Sequence, residues 1–333
     1  MMTSATNNKP PQHKLRWYQF SLRSLLIFMT PIGVGLLVAP AQRQLRAIQA
    51  ILNADGSFEY DLRNDDQGVF HAPDWLRNFL GEDYFQSVVW VYVRNSKFSD
   101  AGLEQLECLT SLRTLDLEYT QISDAGLVHL KEMTELQYLD LDHTAISDAG
   151  LKNLQGMAKL QTLYLNHTQT SDAGLECLKT LTNLEELRLM DTRISNAGLK
   201  HLKHLNKLDS LWLQNTPISN AGLEHLKDLT GLKFLFLDNT AISDAGLEQL
   251  KGLTNMRQLH LQNTQISDAG LKHLKGMTDL NLLDIRGTRS ADAGLERLKC
   301  LRFLQVLFVD RSQFSAAALE QFKAALPYCS IRE

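Results

Sequence analysis

The stretch LRTLDLEYTQISDAGLVHLKEM, residues 112–133, decides the fold. Its first half alternates: Leu115 and Leu117 fall on one side, Thr114, Asp116 and Glu118 on the other, the period of two that makes a strand. Its second half places Leu127, Leu130 and Met133 at helical spacing. The pattern returns as LQYLDLDHTAISDAGL from Leu136 and as LKFLFLDNTAISDAGL from Leu232. The glycine of AGL stands at 102, 126, 150, 174, 198, 222, 246, 270 and 294, an interval of 24 each time, and SAAAL at 315–319 keeps the phase with Ala318 in the glycine's place. A fixed period of this length means a solenoid, in which no unit buries its apolar face alone and neighbours stack to form one core.

The pentapeptide SDAGL offers a hydroxyl, a carboxylate and a glycine together, so it raises the question of chemistry. SNAGL replaces it at 195 and 219. Asn for Asp removes a general base or a metal-binding charge but preserves a helix N-cap. The motif also lies at the strand-to-helix corner, where the first helical amides need an acceptor. Capping is the reading adopted, with the glycine letting the first turn approach its neighbour. A column of Thr at 120, 144, 168, 192, 216, 240, 264 and 288 reads as a structural ladder, its hydroxyls bonding backbone groups of a neighbouring turn. Thr170 and Ser290 interrupt the Ile column and mark weaker turns.

The motif LxxLxLxxTxI-SDAGLxxLxx closely resembles the leucine-rich repeat, in its helix-containing subclass of ribonuclease-inhibitor-like and F-box-associated-like units and many bacterial repeat proteins. The resemblance covers roughly residues 88–331. It implies an α/β solenoid, a horseshoe or arc with parallel strands on the concave face and helices on the convex face. Strand positions run Val91, Leu115, Leu139, Leu163, Leu187, Leu211, Leu235, Leu259, Leu283 and Leu307, with Ile331 in phase for a stub of one more. Repeats then occupy 88–314 and a capping repeat 315–333, its helix stopping before Pro327. Such a fold is a scaffold whose function depends on its surface.

The N-terminal part differs. Residues 1–23 form a basic tail, and Ser24–Gln42 carries no charge between Arg23 and Arg43. At about 1.5 Å per residue that run reaches across a hydrocarbon core of roughly 30 Å. The excess of Lys and Arg before it puts the N-terminus in the cytoplasm and the repeats on the far, periplasmic or extracellular, side as a single-pass anchor. Ala39-Pro40-Ala41 supplies the competing reading, a secretory signal removed near Ala41. Residues 43–87 read as a linker and N-terminal cap: a short amphipathic helix with Leu45, Ile48 and Leu52, a strand with Phe58, Tyr60 and Leu62, and a helix with Trp75, Leu76, Phe79 and Leu80.

Residues 1–46 contribute +6 to a net charge of −4, leaving −10 for the rest, a poor surface for a phosphate backbone, so nucleic acid is not an expected partner. Cys108, Cys177, Cys300 and Cys329 show no paired spacing for zinc or a disulfide scaffold. His143 and His167 share a phase on successive turns beside Asp142 and Asp191, but that phase is a solvated turn column elsewhere, so no metal is assigned. No nucleophile elbow, phosphate loop or dinucleotide fingerprint occurs, and the chain is read as neither an enzyme nor a cofactor binder.

Function should then lie where the units differ. Side chains between and beside the LxL leucines point away from the core. Down the central column stand Tyr92, Asp116, Asp140, Tyr164, Arg188, Trp212, Phe236, His260, Asp284 and Phe308. Two zones emerge: an acidic one of Asp116, Glu118, Asp140 and Asp142, and an aromatic one of Tyr138, Tyr164, Arg188, Met190, Trp212, Phe234, Phe236 and His260. Aromatic rings and Arg on a concave face are the residues from which binding hot spots are made. The expected partner is a protein or peptide with a basic region. The alternatives are an envelope-structural spacer without a ligand, and glycan binding on the aromatic strip.

Overall fold

The computed structural model describes residues 31–61, 86–94 and 97–333. Twelve strands form one sheet in sequence order. The first two, β1 (Ser57–Tyr60) and β2 (Val88–Tyr92), pair antiparallel, with Phe58 opposite Val91. From β2 onward every pairing is parallel, through β3 (Thr114–Asp116) and its equivalents to β11 (Val306–Phe308) and β12 (Ser330–Arg332). Leu115 sits opposite Leu139, Leu139 opposite Leu163, and so on at the sequence period. The ten expected strands and the stub at Ile331 are all present; β1 adds the antiparallel edge that the Phe58–Tyr60 alternation foreshadowed. A one-residue slip would turn every leucine out of the core, so the register is strongly fixed.

The segment after the strand is a helix as expected, but its form varies: Asp172–Leu178, Asp244–Leu250 and Asp292–Leu298 are α-helical. Asp148–Leu151 is α-helical and Lys152–Leu154 continues as 3₁₀, while Gly126–Leu130 is 3₁₀ throughout. Leu127, Leu130, Met133 and Leu136 recur every third residue, and all four are fully buried. Three residues per turn is the 3₁₀ period, but the same spacing at Leu175, Leu178, Leu181 and Leu184 accompanies the α-helix Asp172–Leu178, so the spacing fits either form.

The corner motif works differently from the Asp cap expected. Ser, not Asp, is the N-cap: the Ser147 hydroxyl accepts from Ala149 N–H, and Asp148 is the first helical residue. The Asp carboxylate instead reaches the next unit. Asp124 accepts from the Ser147 backbone N–H at 2.7 Å and from the Ser147 hydroxyl. Asn serves equally, because Asn196 accepts from Ser219 N–H and donates its amide to the Ser219 hydroxyl, both at 2.8 Å. That donation occupies the serine oxygen, and Ser219 and Ser243, the two serines that follow an Asn, make no cap bond to their own helices. The glycine two residues after the Asp has the same cause. A Cβ on Gly150 would lie 2.5 Å from Asp124 Oδ1.

The Thr hydroxyls also bond differently from expectation. Each donates to the carbonyl three residues earlier in its own unit, as Thr120 does to Leu117 and Thr144 to Leu141, both at 2.6 Å. Thr170 and Ser290 are buried and bond the hydroxyls of Thr168 and Thr288 at 2.8 and 3.1 Å, so their polar atoms are satisfied. Just before each Thr the chain enters the left-handed region, at Tyr119, His143, His167, Asp191, Asn215, Asn239, Asn263 and Gly287. Apart from Tyr119, the column holds only Asn, Asp, His and Gly, the residues that most readily adopt it.

At the N-terminal end a helix, α1 (Pro31–Asn53), runs through Pro40 onto the first repeat. Its buried face is Ala47, Ile48 and Ile51; Leu45 and Leu52, expected on that face with Ile48, are exposed instead. Among the described residues no helix is long and apolar enough to cross a membrane. The first part of the apolar run, residues 24–30, and the helix expected around Trp75–Leu80 lie outside the described residues.

Candidate functional site

The sheet face away from the leucine core carries the residues that vary. From Tyr164 to His260 the central column forms a continuous stack, which Tyr138 of the column before it extends. Tyr138 meets Tyr164 edge-on at 5.3 Å between centroids. The Arg188 guanidinium lies between two rings, 3.7 Å from Tyr164 and 4.2 Å from Trp212. Trp212 packs on Phe236 at 4.1 Å, and Phe236 on His260 at 4.4 Å. The stack follows from the parallel register, which sets one side chain of this column on each rung about 4.8 Å apart, close to the thickness of stacked rings. Glu186 fixes Arg188 at 2.7 Å, and the Trp212 indole donates to the Ser210 hydroxyl at 3.1 Å, so both large groups are held in place. All six members remain half-buried.

The acidic zone is organised otherwise than its sequence suggests. Asp116 has no exposed surface and is clamped by Arg94, whose Nε lies 2.6 Å away. Asp140 is 3% exposed and accepts from Asp142 N–H at 2.9 Å and from the Tyr138 hydroxyl at 3.2 Å. Burial, reinforced by the charges of Asp142, Asp116 and Glu118, pushes its carboxyl up to about 7. Asp142 is also buried, and both its oxygens are taken by Asn166, at 2.6 and 2.7 Å. Glu118 alone of the four presents a partly exposed carboxylate. Short side chains beneath longer neighbours are covered by them, here Arg94 and Tyr138, and a column read from sequence cannot show which neighbour reaches across.

Among the described residues, two groups of side chains come close enough to hold a cation: Asp238, His260 and Asp284, and Asp116, Glu118 and Asp140. In each, a guanidinium already supplies the counter-charge. Arg286 grips Asp284 through Nε at 3.0 and 3.2 Å and through Nη2 at 2.5 Å, and Arg94 bridges Asp116 and Glu118. Burial holds His260 below its usual range, opposed by the charges of Asp238 and Asp284. Each group draws on two or three different units, so no local spacing signals it. His143 and His167, which share the left-handed column, stack face to face at 4.0 Å, with Tyr119 on the other side of His143 at 4.1 Å.

Comparison with known proteins gives the following. The family model for the leucine-rich repeat region matches residues 91–269, more than half of the chain. Among solved structures, an internalin (inlF) from Listeria monocytogenes is 21% identical, with 80% of this chain and 96% of that one covered and a TM-score of 0.41. An internalin C2 (inlC2) from the same organism is 20% identical, with 67% and 81% covered and a TM-score of 0.48. No curated protein matches. With eleven in-phase strand positions and a family model matched across more than half its length, the chain belongs to the leucine-rich repeat proteins.

Proposed function

We propose that the protein binds a protein or peptide partner through the outer face of its sheet, centred on the stack from Tyr138 to His260. The observation that carries this is the stack itself, six aromatic or guanidinium groups on consecutive units, every one only partly buried. Rings held rigid by their neighbours lose little freedom on binding and bury large area, which makes them effective anchors. Phe234 and Met190 flank the stack, on the side column and the following column, and widen the apolar strip. Selection by charge rests on Glu118 and on the net −10 of the chain beyond residue 46, with Asp116, Asp140 and Asp142 acting from below the surface. The reading is non-enzymatic, in the helix-containing repeat subclass. The uncharged run 24–42, bounded by Arg23 and Arg43, supports membrane anchoring with the repeats on the far side.

The test replaces Trp212 and Phe236 by Ala together in the full chain. A partner crosslinked to the wild type should be lost with this variant and kept with Val128→Ala on the helix side, while circular dichroism shows the fold intact. Equal recovery by all three chains would refute binding at the stack and favour a structural spacer. Anchoring is checked separately: alkaline carbonate should leave the protein in the membrane pellet, and a mature N-terminus near Gln42 would refute it.

A further inference from the structure

In the column that follows the central one, backbone N–H groups at equivalent positions are capped by side-chain oxygens. Glu118, Asp142 and Arg286 donate to Asp116, Asp140 and Asp284 of their own units, at 3.2, 2.9 and 3.1 Å. Asn166, Met190 and Gln262 donate to Asp142, Asn166 and Asp238 of the preceding units, at 2.6, 2.8 and 2.9 Å. Between Glu118 and Arg286 the rule fails at Gln214 and Asp238. Among the described residues neither of these amides has an acceptor outside its own residue.

The reason lies in the side chains at the capping positions. For Gln214 N–H they are Met190 and Trp212, and for Asp238 N–H they are Gln214 and Phe236. Three of these carry no acceptor. Gln214 carries one, on a chain one methylene longer than that of Asn166, and its Oε1 has no hydrogen-bond partner although the residue is only 9% exposed. Buried carbonyl oxygens without a donor are uncommon and destabilising. The Gln214 amide and its side-chain oxygen are thus left without partners, and the Asp238 amide has only its own carboxylate, in the adjacent units that carry Trp212 and Phe236. Asn at positions 190 and 214 together would complete the ladder, each capping the next unit's amide as Asn166 caps that of Met190. Places where a protein forgoes available stability are where function is to be sought.

We infer that this break in the ladder is a main-chain docking point for an extended peptide, a neutral or basic one given the net −10 of the chain beyond residue 46. The inference rests on the reading of the stack as the binding face. Peptide carbonyls accept from the Gln214 and Asp238 amides. A peptide N–H donates to the Gln214 side chain once its amide turns toward the ligand, and the peptide's side chains lie on Trp212 and Phe236. An extended peptide alternates acceptor and donor along its length, which matches two donors and an acceptor in one strip.

The experiment uses the full chain and a phage-displayed library of random 12-residue peptides selected on the wild type. Met190→Asn with Gln214→Asn should cap both amides internally. The melting temperature should rise by about 2–4 °C, and affinity for the selected peptide, read by fluorescence polarisation, should fall at least tenfold. Met190→Ala with Gln214→Ala removes the same side chains without capping, and should lower affinity less, with no rise in melting temperature. Unchanged affinity in the Asn pair, with binding still abolished by Trp212→Ala, would overturn the docking point while leaving the binding face standing. A melting temperature that does not rise would also overturn it. Failure of the wild type to select any peptide, or binding of tetra-N-acetylchitotetraose in place of peptide, would overturn the inference and the protein-binding reading together.

Discussion

The contact between Gly150 and Asp124 makes a test in which one substitution changes sign with its background. In an unobstructed helix Ala is more favourable than Gly by about 1 kcal/mol. Here a Cβ at 150 would stand 2.5 Å from Asp124 Oδ1, 3.0 Å from Leu127 Cδ1 and 3.1 Å from Asp124 Cα. The carboxylate cannot move away freely, because Ser147 N–H holds that same oxygen at 2.7 Å and the Ser147 hydroxyl holds the other. Overpacking of this kind costs about 1–3 kcal/mol, so Gly150→Ala should destabilise by up to about 2 kcal/mol net. Asp124→Ala alone should cost about 2–3 kcal/mol, since hydrogen bonds to a charged group are lost and Ser147 N–H is left without its acceptor. With the carboxylate gone, Gly150→Ala should become neutral or stabilising by up to about 1 kcal/mol, held short of the full propensity gain by the backbone of Asp124. The coupling between the two positions is then about 1–2 kcal/mol. Urea unfolding of the four chains, followed by far-ultraviolet circular dichroism, measures it. Additivity within about 0.5 kcal/mol would refute the account, because the glycine would then owe nothing to the carboxylate.

Other perturbations probe separate parts of the same framework. Asp124→Asn should cost only about 0.5–1 kcal/mol, the loss of the Ser147 cap, since Asn196 and Asn220 keep the cross-unit bonds; a loss as large as that of Asp124→Ala would show that the charge itself is required. Asp140 titrates near 7 in the fold against 3.8 when unfolded, so between those values the folded state holds the extra proton and stability falls as pH rises. The limiting loss above pH 7 is about 4 kcal/mol at about 1.36 kcal/mol per pH unit. Asp140→Asn should flatten this dependence and stabilise the protein at pH 8, and an unchanged pH profile would refute it. At Asn239, where φ is +56°, Val should cost about 1–2 kcal/mol and Gly less than about 0.5, read by the same unfolding measurement.

The division between what the sequence disclosed and what it hid follows the range of the contacts. Strand positions from Val91 to Leu307 and the stub at Ile331 were readable because each LxL pair declares its own alternation and the period declares its neighbour. The function of Asp124 was not, because its partner is Ser147, 23 residues away, and within one unit the carboxylate resembles a cap. Met190 was legible as a variable residue, but the amide it fails to cap belongs to the next unit. The acidic zone misled for a related reason. Composition gives the charge of Asp116 and Asp140, while their exposure depends on the reach of Arg94 and Tyr138.

The same logic joins the aromatic stack to the gap in the capping ladder. A central position holding Asp caps its own unit's amide, as Asp116, Asp140 and Asp284 do. A position holding Trp212 or Phe236 contributes a ring to the stack and surrenders that cap. The amide is then satisfied only if the preceding unit supplies an Asp or Asn, which Asn166 does for Met190 and Asp238 does for Gln262. Where the ring and the missing Asx coincide, at Gln214 and Asp238, apolar anchors and backbone amides without an acceptor from any other residue arise together. A partner that covers the rings therefore also meets the amides, and neither feature needs to have been built separately from the other.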